Sequence, residues 1–306
     1  MDVASTPVLS VAPIAVPAPG RLTDLHVRVT APVDGDRLPI LLVSHGHGPS
    51  NFVSSLYGYG PVANFFAARG FVVIQPTHLD AKMLPFRTSD HPDAPLFWRS
   101  RAGDMSRTLD ALDSIERAVA TLAGRLDRTK VAVLGHSMGG HTASVLLGAT
   151  HRDDKGAVVS VAEPRIKTGV VLAGIGRGDR LSSYAAEHYP FMSTIDFSTM
   201  TTPALVVAGD KDGSPHLTVA GPSWHADPYA LSPSPKSLLT LVGGEHGLGG
   251  VAGYDLAETT DENPARVAAL LELVLGYLRT AFAPGDPAWA NAQKALPATM
   301  GRVESK

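Results

Sequence analysis

Val131-Ala-Val-Leu-Gly-His-Ser-Met-Gly-Gly140 decides how the chain is read. Lys130 to Leu134 is apolar and rich in strand formers. Gly135-His-Ser-Met-Gly139 follows, a Gly-x-Ser-x-Gly pentapeptide, and Thr142-Ala-Ser-Val-Leu-Leu147 predicts a helix. Strand, tight turn and helix are the context of a nucleophile elbow, in which the serine is held in strained backbone at the head of a helix. Gly135 and Gly139 carry no side chain, so strand and helix can pack closely there. The helix dipole favours negative charge developing near Ser137. A glycine-rich turn whose serine only caps the helix is the plainer alternative.

Outward from this stretch, apolar runs alternate with helical patterns. Ile40–Val43, Phe71–Ile74, Thr168–Leu172, Ala204–Ala208 and Ser237–Val242 read as strands buried on both faces. Leu25–Thr30 alternates, as a half-exposed edge strand would. Leu56–Arg69, Asp104–Leu122 and Pro264–Phe282 carry helical periodicity, with Asp104 near a helix start and Pro264 in a first turn. The expectation is an α/β fold, a mostly parallel central sheet with helices on both faces. Residues 1–20 read as a Pro-rich extended lead-in, 21–283 as the main domain, 173–202 as a small cap or lid, and 284–306 as a loosely attached tail.

Composition narrows the function classes. The 306 residues carry 26 basic and 29 acidic side chains, for a net charge of −3 with no basic block, which argues against nucleic acid as a partner. There is no cysteine, which excludes disulfides and a thiol nucleophile and fits a reducing compartment. No run of 18 apolar residues is present to span a membrane. The first positive charge is Arg21, and prolines interrupt residues 1–20, so no secretion signal is read; a cytoplasmic location is expected, with secretion the alternative where a signal has been removed.

A serine hydroxyl needs a histidine to take its proton and a carboxylate to hold that histidine's tautomer. In a parallel sheet these groups meet at the carboxyl ends of strands. His246 lies in Gly243-Gly-Glu-His-Gly-Leu-Gly-Gly250, after the last strand; Glu245 beside it is a supporting or solvent residue. After Ala204–Ala208 comes Gly209-Asp-Lys-Asp-Gly213, where Asp210 and Asp212 compete. Asp212 can turn back toward the sheet edge, while Asp210 can bond the turn backbone. An oxyanion needs two N–H donors: Met138 after the serine, and His47 in Ser44-His-Gly-His-Gly48. His45 and His47 also form a His-x-His pair, but no third ligand of suitable spacing follows, so no metal is expected. His136 and His141 read as packed or hydrogen-bonded side chains. Residues 78–98, 173–202 and 224–229 supply pocket walls, with Phe86, Trp98, Tyr184 and Trp224 as lining candidates.

The Gly135–Gly139 pentapeptide, the His45-Gly46 turn, Gly209-Asp-Lys-Asp212 and His246 resemble the α/β-hydrolase superfamily over roughly residues 24–282. Val43-Ser-His-Gly46 and Arg69-Gly-Phe-Val-Val-Ile74 resemble dienelactone-hydrolase-like, chlorophyllase-like and platelet-activating-factor-acetylhydrolase-like esterases. The Gly135–Gly140 hexapeptide is similar to that of bacterial cutinases and polyester hydrolases. The chain departs from the cutinases in lacking a C-terminal cysteine pair and any sign of an exposed aromatic cleft, and from true dienelactone hydrolases in having serine where they use cysteine. The resemblance favours Asp212 over Asp210 as much as geometry does. It implies a cofactor-independent serine esterase acting on a small-molecule or polymeric ester with a hydrophobic part. Amide hydrolysis, C–C hydrolysis and perhydrolysis on the same residues, or a non-catalytic binder on the same fold, are the alternatives. Oligomeric state is not legible.

Overall fold

The computed structural model describes residues 6–254 and 256–306; residues 1–5 of the expected lead-in lie outside them. The first half holds strands β1 (Val8–Val16), β2 (Leu25–Pro32), β3 (Leu38–Ser44), β4 (Val72–Pro76) and β5 (Leu126–His136). Its helices are α1 (Gly60–Ala67), α2 (Trp98–Asp110), α3 (Leu112–Ala118) and α4 (Met138–Leu146). The second half holds β6 (His151–Arg152), β7 (Val158–Val159), β8 (Ile166–Leu172), β9 (Ala204–Gly209), β10 (Lys236–Leu241) and β11 (Gly301–Ser305). Its helices are α5 (Ser183–His188), α6 (Asp227–Ala230), α7 (Pro264–Phe282) and α8 (Ala288–Ala295).

Nine strands make one sheet in the order β1-β2-β4-β3-β5-β8-β9-β10-β11. The six from β4 to β10 run parallel, and antiparallel strands flank them at both ends. The apolar runs are continuous because successive side chains enter opposite cores. Ile40 and Leu42 of β3, with Val131 and Val133 of β5, face the core under α2, α3 and α4. Leu41, Val43, Ala132 and Leu134 face the other core, with α1 and α7. The carboxyl ends of β3, β5, β9 and β10 therefore open onto one rim.

Several elements differ from expectation. Leu25–Pro32 is not an edge strand. β1 pairs along its outer side, so the Pro-rich lead-in is sheet rather than a free arm. The first helix spans only Gly60–Ala67, because residues 51–58 form turns. The Asp104–Leu122 pattern is two helices and a 3-10 turn, broken at Ala111 (φ −91°, ψ 6°). The first of these begins at Trp98, so Asp104 is interior and buried, held by Arg21 and His78 rather than by a helix terminus. The tail is not loose: Trp289 of α8 packs edge-on against Tyr277, and β11 pairs with β10 at Leu239↔Val303. Pro264–Phe282 forms as its periodicity predicts, capped by the Asn263 side chain accepting from the Arg266 N–H. Among the described residues no helix is long and apolar enough to cross a membrane.

Candidate active site

Ser137 sits between the end of β5 and the first turn of α4, with φ 57° and ψ −120°. A non-glycine residue holds such a conformation only when its surroundings over-determine it. Here the Ser137 N–H donates to the Leu172 carbonyl at 2.9 Å, and its carbonyl accepts from the His141 N–H at 3.1 Å. A Cβ on Gly135 would strike the Gly139 carbonyl, and one on Gly139 the Ser44 carbonyl, so both positions require glycine for close backbone packing.

Two loops bring partners to this serine. His246 Nε2 lies 2.8 Å from Ser137 Oγ, and His246 Nδ1 lies 2.7 Å from Asp212 Oδ2. A carboxylate only accepts, so Nδ1 carries the hydrogen and Nε2 is left as a base facing the hydroxyl. Asp212 Oδ1 accepts from Ser214 Oγ at 2.6 Å. Burial pushes the Asp212 carboxyl up, but its polar contacts with His225 and His246 outweigh that and hold it well below the usual carboxylate range. Asp210 is engaged elsewhere, accepting the Gly243 N–H at 2.7 Å and closing the turn after β10. Glu245 binds Thr260 and does not join the chain.

His47 and Met138 line the same cavity, and among the described residues neither backbone N–H donates to a protein acceptor. The Gly46 N–H is taken by the Tyr59 hydroxyl oxygen at 2.9 Å. That hydroxyl donates to His136 Nδ1 at 2.9 Å, because His136 Nε2–H must donate to the His246 carbonyl at 2.7 Å. A single directed chain thus joins the loop after β3, the elbow and the His246 loop. Burial drives the His136 imidazole down to about 3, so it stays neutral in this role.

Beneath the loop after β3 lies a buried polar network. Arg101 pairs with Asp80 through two bonds, at 3.0 and 3.1 Å, and donates to the His45 carbonyl at 2.9 Å. Asp80 also takes the His47 Nδ1–H at 2.8 Å. His45 bonds the Gly46 carbonyl and accepts the His78 N–H, so His45 and His47 point into different networks. Asp212, His225 and His246 are the one group of three metal-type ligands among the described residues. The 2.7 Å between His246 Nδ1 and Asp212 Oδ2 is a hydrogen bond, too short for two ligands about 3.3 Å apart on a tetrahedral zinc.

The cavity over Ser137 has a volume of about 250 Å3. Its apolar wall includes Val53, Leu96, Met138, Ile175, Met192 and Leu217; Tyr189, His216 and Glu258 also border it. None of Phe86, Trp98, Tyr184 or Trp224 lines it. Trp98 and Trp224 lie one layer behind, buried with Leu96, Met138, Ile175 and Met192. The Trp224 indole N–H is satisfied by the Arg177 carbonyl, and Trp98 stacks on Phe191. Tyr184 is 48% exposed and stacks on His188 outside the cavity, while Phe86 is half-buried. Their large apolar area is used to support the wall, and smaller aliphatic side chains form its surface. His141 is buried against His151, Nε2 to Nε2 at 2.8 Å, behind the elbow.

The sheet order and the serine at the tip of β5 define an α/β-hydrolase fold. The chain matches the solved structure of a putative dienelactone hydrolase from Klebsiella pneumoniae subsp. pneumoniae MGH 78578, with TM-score 0.56 and 13% identity, covering 90% of this chain and 99% of that one. In sequence it is similar to Cutinase 1 of Thermobifida cellulosilytica, 29% identical over 181 residues, 59% of this chain and 51% of that protein. A cutinase of Thermobifida fusca (strain YX) is also 29% identical over 181 residues, 44% of its length. The chain thus spans about half the length of the curated relatives it matches. No family model matches.

Proposed function

We propose that the protein is a carboxylic ester hydrolase in which Ser137, His246 and Asp212 act as nucleophile, base and orienting acid. The observation that carries this is the unbroken chain Ser137 Oγ to His246 Nε2 and His246 Nδ1 to Asp212 Oδ2, opening onto an apolar cavity. Ser137 Oγ attacks the ester carbonyl as His246 Nε2 takes its proton. The N–H groups of His47 and Met138 receive the oxyanion. Collapse releases the alcohol, which takes the proton from His246. Water, deprotonated by His246, then attacks the acyl-enzyme and frees the acid, restoring Ser137. No step calls for a cofactor.

A cavity of 250 Å3 has the space of roughly eight water molecules at about 30 Å3 each. That suits a short or medium hydrophobic acyl or alcohol part. Residues 173–202 act as a cap, since Ile175, Tyr189 and Met192 line the cavity together with Ser137. The cutinase similarity favours a second reading, hydrolysis of polymeric ester at the cavity mouth. The absence of cysteine fits work in a reducing compartment. Ser137→Ala tests the proposal: p-nitrophenyl butyrate turnover falls by about 10^4-fold or more with the fold intact. Turnover within tenfold of the parent would refute it.

A further inference from the structure

Behind Asp212 lies a second imidazole that the ester-cleaving chain does not use. His225 lies in the 3-10 turn Gly221–Ala226, one residue before its end, and is fully buried. Its Nδ1 is 2.7 Å from the Gly174 carbonyl, which only accepts, so Nδ1 carries a hydrogen. Its Nε2 is 3.2 Å from Asp212 Oδ2, the oxygen that also takes the His246 Nδ1–H. The approach is oblique, an ion contact rather than a well-directed hydrogen bond, and among the described residues Nε2 has no other polar partner. A bare lone pair held there would face an anionic oxygen across a dry gap, where repulsion is little screened. A hydrogen on Nε2 turns that repulsion into attraction.

We infer that His225 is a buried imidazolium that shares Asp212 with His246, and that it acts as a positioning residue for the catalytic base. The catalytic part of this rests on the esterase reading; the protonation of His225 does not.

The surroundings fit a cation. Asp212 and His216 face His225 from the loop after β9, His246 from the loop after β10, and His136 from the elbow. Asp227, two residues further along the chain, also faces it and is held by the Arg177 N–H at 2.9 Å. The Arg177 guanidinium turns outward to Asp179. Burial keeps His136 and His216 neutral, so two carboxylates stand against one proposed imidazolium.

The charge has two effects on the reaction. It keeps Asp212 ionised and fixed although buried, so His246 is held in the tautomer that presents Nε2. It also repels a second proton on His246, whose ring centre is 5.6 Å away. At that distance, in a partly solvated site, a like charge shifts a titration by on the order of one pH unit. His246 would therefore remain a free base, and the enzyme active, to lower pH than without His225.

Two measurements test this. The first is nitrogen-15 NMR of the histidine rings at pH 7, with the His225 signals assigned by their loss in His225→Asn. Two protonated ring nitrogens are expected; a neutral ring protonated only at Nδ1 overturns the inference. The reading can be taken on a Ser137→Ala background, so it stands whether or not the protein cleaves esters. The second is the pH dependence of kcat/KM in His225→Gln, which keeps an N–H donor but no charge. Its acid limb should move up by about one pH unit relative to the parent. An unmoved limb, even with lower kcat, would reduce His225 to packing and overturn its role on the base.

Discussion

The Tyr59 hydroxyl donates to His136 Nδ1 at 2.9 Å while its oxygen accepts the Gly46 N–H at the same distance. Because His136 then donates to the His246 carbonyl, one buried phenol ties together the three loops that surround Ser137. Tyr59→Phe keeps the ring and removes both bonds. It leaves the Gly46 N–H and His136 Nδ1 unpaired in the interior, which costs about 1–3 kcal/mol for each. Ester turnover is expected to fall at least tenfold, with Tm lowered; unchanged turnover and Tm would show that the chain does not hold the loops.

Arg101 carries the second support. Arg101→Met leaves Asp80 buried with His47 as its remaining partner and is expected to destabilise the fold by about 3–5 kcal/mol in urea unfolding. Pairing it with Asp80→Leu removes the orphaned charge and should recover part of the loss. A single-variant loss below about 1 kcal/mol, or no recovery in the pair, would contradict this.

How much of this was legible in the sequence follows from chemistry at each position. Ser137 and His246 stand at strand ends in glycine-rich turns, where topology and residue type single them out; in Gly209–Gly213 the same reasoning left Asp210 and Asp212 in competition, and the α/β-hydrolase resemblance was needed to favour Asp212. The relay was not legible, since Tyr59 lies 77 residues from His136 and nothing local marks its hydroxyl as bonded. His225 was missed for the same reason, although its place in the loop between β9 and β10 was a weak signal. The aromatic pocket candidates failed because large rings are as useful behind a wall as on it, and sequence does not separate the layers. Asp104 was misplaced because a buried acid with arginine and histidine partners looks, in sequence, like a helix-start acid. In β11, the alternation of Arg302, Val303 and Glu304 was the missed sign of a strand.

Acid sensitivity follows from the buried histidines. Burial pushes His136 down to about 3 and His151 to about 4, and holds His45, His78 and His141 well below the usual imidazole range. Their folded values lie below the unfolded value near 6.5, so the unfolded chain binds more protons as pH falls. Stability is expected to be full above about pH 6.5 and to drop from there toward pH 4. Each group contributes up to about 1.4 kcal/mol per pH unit. A Tm that is flat from pH 7 to pH 5 would contradict the neutral assignments.

Chain-length preference tests the cavity. With Ile175 and Met192 forming part of its wall, butyrate and hexanoate esters should be cleaved with higher kcat/KM than palmitate esters. Ile175→Ala enlarges the space and should shift the optimum toward longer chains. A palmitate optimum in the parent would mean that the acyl group binds elsewhere.

The most direct measurement is labelling with a fluorophosphonate, followed by intact mass and peptide mapping. One stoichiometric adduct on Ser137 is expected, absent in Ser137→Ala and slowed by at least about 10^3-fold in His246→Ala. No adduct on the folded protein, or an adduct formed equally fast without His246, would contradict a serine activated by that imidazole.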